Sequence, residues 1–189
     1  MYNFFAYINR MKYIKRWNLM RTTTPENIME HSAEVAQIAH ALAFISNTYF
    51  DNTLNAERIA LMALYHETSE VITGDLPTPV KYYNPEIHSA YKDIEKIANN
   101  KLLNMLPDKF QDEYSALMNP TEEEELFVKA ADKLAAYIKC IEEVKCGNGE
   151  FKKAQKSIKQ TLDANPMPEV KFFMEKFIPA YSKTLDELD

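Results

Sequence analysis

The sequence predicts an all-α fold, on three observations. Apolar residues recur every three to four positions along most of the 189-residue chain, the spacing that lines one face of an α-helix. Only three glycines occur, too few for a fold built on many tight β-turns. No segment alternates apolar and polar residues convincingly with a period of two. With 46% apolar and 26% charged residues, the chain fits a single compact domain over 1–189, a bundle of about seven to nine helices.

The elements follow in order. Phe4, Phe5, Ile8 and Met11, with Tyr7, share one side of a first helix over 4–14. The polar run Arg21-Thr22-Thr23-Thr24-Pro25-Glu26-Asn27 reads as loop. A second helix spans about 28–46, with Val35, Ile38, Ala39, Leu42 and Ile45 facing inward. A third covers about 56–72, with Asn55 as its N-cap, a side chain able to accept from the unpaired N–H groups of a first turn. Gly74-Asp75-Leu76-Pro77-Thr78-Pro79 breaks the pattern, because each proline lacks a donor and restricts the residue before it. Helical spacing resumes over about 89–106. Thr121 with Glu124 is a capping-box pair, and the four glutamates 122–125 complement the positive end of a helix reaching to about Lys145. Gly147-Asn148-Gly149 ends it. Helices over 150–164 and 170–177, the latter stopped by Pro179, complete the chain.

Charge and cysteine usage exclude several functions. The net charge of −6 and pI near 5.3 argue against a nucleic-acid polymer as partner, which needs a basic face. Cys140 and Cys146 fall in one predicted helix, where six residues rise about 9 Å, too far for a disulfide. Free thiols point to a reducing compartment, so the cytoplasm is the expected location. Residues 1–21 interleave aromatics with bases and lack a continuous apolar run, so neither a signal peptide nor a membrane span is expected there or elsewhere. No P-loop occurs, which argues against ATP-driven chemistry.

Three residues carry the chemistry: His31 in Glu30-His31-Ser32, His66 in Tyr65-His66-Glu67, and Asp132 in Ala131-Asp132-Lys133. Each sits in an apolar, alanine-rich helical stretch, and helices can gather such side chains around one metal ion. His66 and Glu67 are adjacent on the predicted third helix. Together with His31 and Asp132 they offer two imidazoles and two carboxylates, a mixed set suited to a divalent first-row metal. Glu70 lies one turn beyond His66, and Asp75 follows in the proline-stiffened loop. Arg16 precedes the chain's only tryptophan, Trp17. A guanidinium matches two phosphate oxygens at once, and an indole can wall a nucleoside pocket. His40 on an apolar helix, His88 at a loop-to-helix junction and the nine methionines read as packing or surface.

These segments resemble the HD-domain hydrolases, and within them the YfbR-like bacterial 5′-deoxynucleotidases. The matching stretches are Arg16-Trp17, Glu26-Asn27-Ile28-Met29-Glu30-His31-Ser32, Ala56-Glu57-Arg58-Ile59-Ala60-Leu61, and Tyr65-His66-Glu67-Thr68-Ser69-Glu70-Val71. They continue with Thr73-Gly74-Asp75-Leu76-Pro77-Thr78-Pro79-Val80-Lys81-Tyr82, Lys129-Ala130-Ala131-Asp132 and Phe173-Met174-Glu175-Lys176-Phe177-Ile178-Pro179. The likeness covers nearly the whole chain in order, and Thr-Gly-Asp-Leu-Pro-Thr-Pro is its most specific part. It implies an HD-domain helical fold, a homodimer and hydrolysis of deoxyribonucleoside 5′-monophosphates. By matched position it implies that His31, His66, Glu67 and Asp132 bind a divalent cation such as Co²⁺, Mn²⁺ or Mg²⁺. Arg16 would orient the phosphate, and Trp17 would lie against the sugar and disfavour a ribose 2′-hydroxyl. Asp75, Leu76, Pro77 and Thr78 would contact the nucleoside, with Asp75 at the 3′-hydroxyl, and Glu70 would be the catalytic acid/base. One position departs from the family's His-Asp pair: its second member here is Glu67, which keeps the charge and donor atoms and adds a methylene. Two alternatives stand beside this reading: a phosphohydrolase acting on a nucleoside polyphosphate or cyclic nucleotide, and a catalytically weak nucleotide-binding protein.

Overall fold

A helix begins where a side chain can accept its unpaired N–H groups, and four such caps organise this chain. Asn27 accepts from Met29 N and Glu30 N, while Glu30 reaches back to Asn27 N. Asn55 accepts from Arg58 N, and Asn84 from Ile87 N ahead of Pro85. Thr121 and Glu124 form the expected capping box. A computed structural model describes residues 1–81 and 83–188, with the side chain of Thr78 outside the description. Its helices are α1 (Phe4–Ile8), α2 (Ile28–Tyr49), α3 (Ala56–Tyr65), α4 (Glu70–Thr73), α5 (Thr78–Lys81), α6 (Pro85–Leu103), α7 (Asp108–Met118), α8 (Glu122–Lys145), α9 (Lys152–Asp163) and α10 (Pro168–Lys176). Short 3₁₀ turns occupy Asn9–Tyr13, Gly149–Phe151, Ile178–Ser182 and Leu185–Glu187. Among the described residues no strand forms; one isolated bridge joins Lys15 and Asn27. The all-α expectation holds.

The core lies where α2 crosses α3 and α8. Val35, Ile38, Ala39, Leu42 and Ile45 of α2 are all buried, as their spacing predicts, against Ile59, Met62 and Ala63 of α3 and Ala131, Leu134, Ala135 and Ile138 of α8. Burying one such leucine fully stabilises by about 1.5–3 kcal/mol. Leu162, Val170 and Phe173 close the far side from α9 and α10. A smaller cluster of Phe4, Leu102, Leu103 and Leu106 seats α1 on α6.

Helix α6 starts at Pro85, behind the Asn84 cap, rather than near 89, and four further segments differ from expectation, each for a local reason. The first helix stops at Ile8 and tightens to a 3₁₀ turn, because the chain must extend at Ile14 to exchange backbone bonds with the start of α2: Arg16 N donates to Glu26 O and Ile28 N to Ile14 O, both at 3.0 Å. Phe5 is left exposed. The third helix ends at Tyr65, not near 72. There the Thr68 hydroxyl and the His66 ring take the carbonyls of Tyr65 and Ala63 for themselves, and the backbone continues in i→i+3 turns until α4. Gly74, at φ +73°, then ends α4 in a conformation glycine adopts without strain. The segment read as a proline loop contains the single turn α5. Helix α7 lies beyond the expected set: Phe110, Tyr114, Leu117 and Met118 recur at helical spacing, but no side chain caps its start at Pro107.

Candidate metal centre and cleft

The two longest helices bring two chemical groups together from distant parts of the chain. His31 on α2 and Asp132 on α8 meet with Nε2 and Oδ1 3.0 Å apart. His31 is entirely buried. Its Nδ1 accepts from Arg16 Nη1 at 2.6 Å, so the ring proton resides on Nε2 and is donated to Asp132. For a cation to take Nε2, the ring proton must move to Nδ1 and Arg16 Nη1 must turn from it, keeping Glu26 Oε2 as its acceptor at 2.9 Å.

The other two groups come from the tight turn after α3. His66 Nδ1 donates to Ala63 O at 2.6 Å, which leaves a lone pair on Nε2 when the ring is neutral. That nitrogen is buried without a hydrogen-bond partner, although Glu67 Oε1 lies 3.4 Å away. A buried polar atom left unpaired costs about 1–3 kcal/mol, so its presence calls for a missing partner. One donor atom from each of His31, His66, Glu67 and Asp132 lies within 4.8 Å of the others, and the set can hold a metal ion. The extra methylene of Glu67 therefore does not take its carboxylate out of the cluster.

The electrostatics favour positive charge at this point. Burial opposes charge on His66, but Glu67 and Asp132 outweigh it and raise its pKa. Burial lowers the pKa of His31, with Asp132 opposing and Arg16 assisting, so His31 stays neutral. Burial would raise Asp132, yet the hydrogen bond from His31 and the charge of Arg16 bring it down to about 2. Glu70, the first residue of α4, is buried, and its Oε2 has no hydrogen-bond partner. Burial and the adjacent Glu67 charge push its carboxyl up to about 10, so it holds a proton at neutral pH while Glu67 stays ionised. Glu70 reaches the site from its own short helix, not as the next turn of α3.

Arg16 and Trp17 stand beside this cluster. Arg16 is within 3.8 Å of Asp132. Trp17 sits half-buried at φ +57°, its indole 5.1 Å from the ring of the fully buried Phe151. Asn18 Nδ2 donates to Asp75 O at 3.1 Å and ties this segment to the loop after α4. Asp75, Leu76 and Pro77 are half-buried in that loop, and the Asp75 carboxyl is raised by burial although Arg16 opposes the shift. The side chain of Thr78 lies outside the described residues. His40 is exposed, its ring 6.4 Å from that of Phe44, and His88 lies in the first turn of α6.

Three supporting groups carry no assignment from the sequence. Glu26 accepts from both Arg16 and Trp17. Glu143, buried on α8, accepts from Thr23 N, Thr23 Oγ1, Thr24 N, Asn148 Nδ2 and Lys139 Nζ, and so anchors the loop leading to Glu26. Lys81 pairs with Glu95 at 2.9 Å and fastens the Asp75 loop to α6. Glu143 and Lys139 stand one helical turn apart, a signal visible in sequence but shared with ordinary surface pairs.

Comparison with known proteins bears on family and fold. A family model described as 5′-deoxynucleotidase YfbR-like matches residues 3–181. The chain is 52% identical over 189 residues to a 5′-deoxynucleotidase of Vibrio parahaemolyticus, covering 98% of this chain and 97% of that protein. It is 51% identical over 191 residues to a 5′-deoxynucleotidase of Yersinia pestis, covering 100% and 97%. Among solved structures, an HD-domain phosphohydrolase from Listeria innocua superposes with a TM-score of 0.82 at 23% identity, over 95% of this chain and 88% of that one. The HD phosphohydrolase of cyanophage S-2L, bound to dA and one catalytic Zn²⁺ ion, gives 0.61 at 21% identity, over 92% and 95%. At such identities the structural matches speak to the fold.

Proposed function

This chain belongs to the 5′-deoxynucleotidase YfbR-like family, and on that premise we propose that it is a metal-dependent enzyme that hydrolyses deoxyribonucleoside 5′-monophosphates to deoxynucleoside and phosphate. The observation that carries the reading is the buried, unpartnered Nε2 of His66 inside a ring of three further donors. His31, His66, Glu67 and Asp132 would hold the cation. When bound, a divalent ion polarises phosphoryl oxygens and lowers the pKa of a coordinated water to about 7.

The remaining work falls to the chain's own groups. A phosphate monoester dianion repels nucleophiles, and Arg16 offsets charge on its oxygens. The oxygen of water bonds to phosphorus as the bond to the 5′-oxygen breaks, and that oxygen needs a proton. Glu70, kept protonated by burial and by Glu67, supplies it and regains a proton from the water that has become part of the phosphate. Trp17 lies against the sugar and leaves little room for a 2′-hydroxyl. Asp75 takes the 3′-hydroxyl, and Leu76, Pro77 and Thr78 border the nucleoside.

Coarser features of the protein follow the same reading. The family match over 3–181 supports one HD-type unit along 1–189. Phe44, Leu61 and Leu64, exposed on the neighbouring helices α2 and α3, support a second copy of the chain as partner. Free Cys140 and Cys146 support a reducing, cytoplasmic setting. Among the described residues no helix is long and apolar enough to cross a membrane.

The test is phosphate release from a panel of deoxyribonucleoside and ribonucleoside 5′-monophosphates, each run with Co²⁺, Mn²⁺ or Mg²⁺ after elemental analysis of the purified protein. Deoxynucleotides are expected to be the better substrates with at least one metal. Inactivity with every metal would favour a binding protein, and equal rates on both sugars would remove the role given to Trp17.

A further inference from the structure

We propose that Glu26 is a positioning residue that holds the phosphate-binding guanidinium and the sugar-facing indole as one unit. This rests on the functional reading above and adds to it a residue that touches no substrate. A single oxygen, Glu26 Oε2, accepts from Arg16 Nη1 at 2.9 Å and from Trp17 Nε1 at 3.0 Å. The backbone repeats the link, with Arg16 N donating to Glu26 O at 3.0 Å. Glu26 is only 9% exposed, so these bonds are made largely out of water and count for more than surface pairs.

The indole needs such a hold. Trp17 occupies the left-handed backbone region, which a bulky side chain rarely adopts unless its surroundings over-determine it. Two contacts do so: the ring of Phe151 and the carboxylate of Glu26 at Nε1. The Arg16 guanidinium lies 5.9 Å from the same indole. Phosphate and sugar sites therefore share one acceptor, and displacing either donor disturbs the other. Glu26 in turn precedes the Asn27 cap of α2 and follows the Thr23-Thr24 segment clamped by Glu143. Its position is set by the rigid core and passed to the cleft.

Trp17 is the chain's only tryptophan, so intrinsic emission reads its surroundings directly. Glu26→Ala removes charge and acceptor; Glu26→Gln removes charge and keeps an acceptor. In Glu26→Ala the emission is expected to shift to the red and become more open to iodide quenching, with helicity and bound metal unchanged. KM for deoxynucleotides should rise by about tenfold or more, and the preference over ribonucleotides should fall by about tenfold, the size expected for losing a buried bond to a charged group. Glu26→Gln should restore the emission and the sugar preference while KM stays raised. Unchanged emission in Glu26→Ala overturns the proposal, as does an equal loss on both sugars with the preference intact. Should Glu26→Ala not fold, Glu26→Asp, one methylene short of the two donors, carries the same expectation and the same disproof. The emission result does not depend on which nucleotide is cleaved, so an unmodified protein without deoxynucleotidase activity would sink the functional reading and leave the Glu26 contact standing.

Discussion

The two halves of the site are built differently. His31 and Asp132 stand on α2 and α8, helices of 22 and 24 residues packed along the main core. His66, Glu67, Glu70 and Asp75 stand on tight turns, a four-residue helix and a loop, held by side chains that take backbone carbonyls. The first half is rigid because moving either residue means unpacking buried leucines and alanines. The second is positioned by a few polar contacts that can be replaced singly. A cation enclosed by all four donors draws on both, with two donors fixed and two brought up by a turn.

Breaking the rigid half should have the largest effect. Asp132→Asn keeps the shape and removes the charge that positive occupancy needs. It is expected to lose metal by elemental analysis and to abolish phosphate release, with helicity retained. Retained metal and activity in this variant would mean that the cation is held without α8.

The adaptable half should fail more selectively. Glu70→Gln is expected to keep metal and fold while kcat falls by about 10²–10⁴, the usual contribution of a positioned proton donor. The pH profile gives a second readout. Because Glu70 is raised, its active protonated form persists through neutral pH and is lost as pH rises through its pKa. Cation binding at Glu67 moves that alkaline limb down from about 10 by cancelling the charge that helps raise it. The limb should be missing in Glu70→Gln, and its persistence would assign it to another group.

The smallest effect on chemistry, and a clear one on stability, is expected at the anchor that ties the loop before α2 to α8. Removing one partner of the buried Lys139–Glu143 pair, as in Glu143→Ala, should destabilise by about 3–5 kcal/mol in denaturant titration. Hydrogen bonds from Lys139, Thr23 and Asn148 outweigh burial and hold the Glu143 carboxyl well below its ordinary value of 4.5. Its contribution is therefore full above that value and lost as pH falls toward the folded-state pKa. Glu143→Gln should flatten the fall in stability below about pH 4.5; an unchanged acid profile would show that other carboxylates govern it.

Much of this was legible in the residues. The inward face of α2, the caps at Asn55 and Thr121 and the end of α8 at Lys145 all follow from local periodicity and side-chain chemistry. The donors His31, His66, Glu67 and Asp132 are legible in their helical contexts, and the fold brings them together. The break after Tyr65 was not legible, because Thr68 and His66 compete for carbonyls only once the turn exists. Helix α7 is marked only by the spacing of Phe110, Tyr114, Leu117 and Met118, with no capping side chain at Pro107 to set its start. Glu26 was quoted in a motif without a role, since a lone glutamate beside a capping asparagine looks like any acidic loop residue.

The sequence by itself determined the core helices α2, α3 and α8, where each of them starts, and which donors are available, because capping and amphipathic spacing act over a few residues. Tertiary structure alone decided that one carboxylate oxygen serves both Arg16 and Trp17, that Glu70 is buried with its proton, and that the loop before α2 is clamped by Glu143. Those outcomes depend on distance and desolvation between groups as far as 120 residues apart, and such separations leave no periodic trace along the chain.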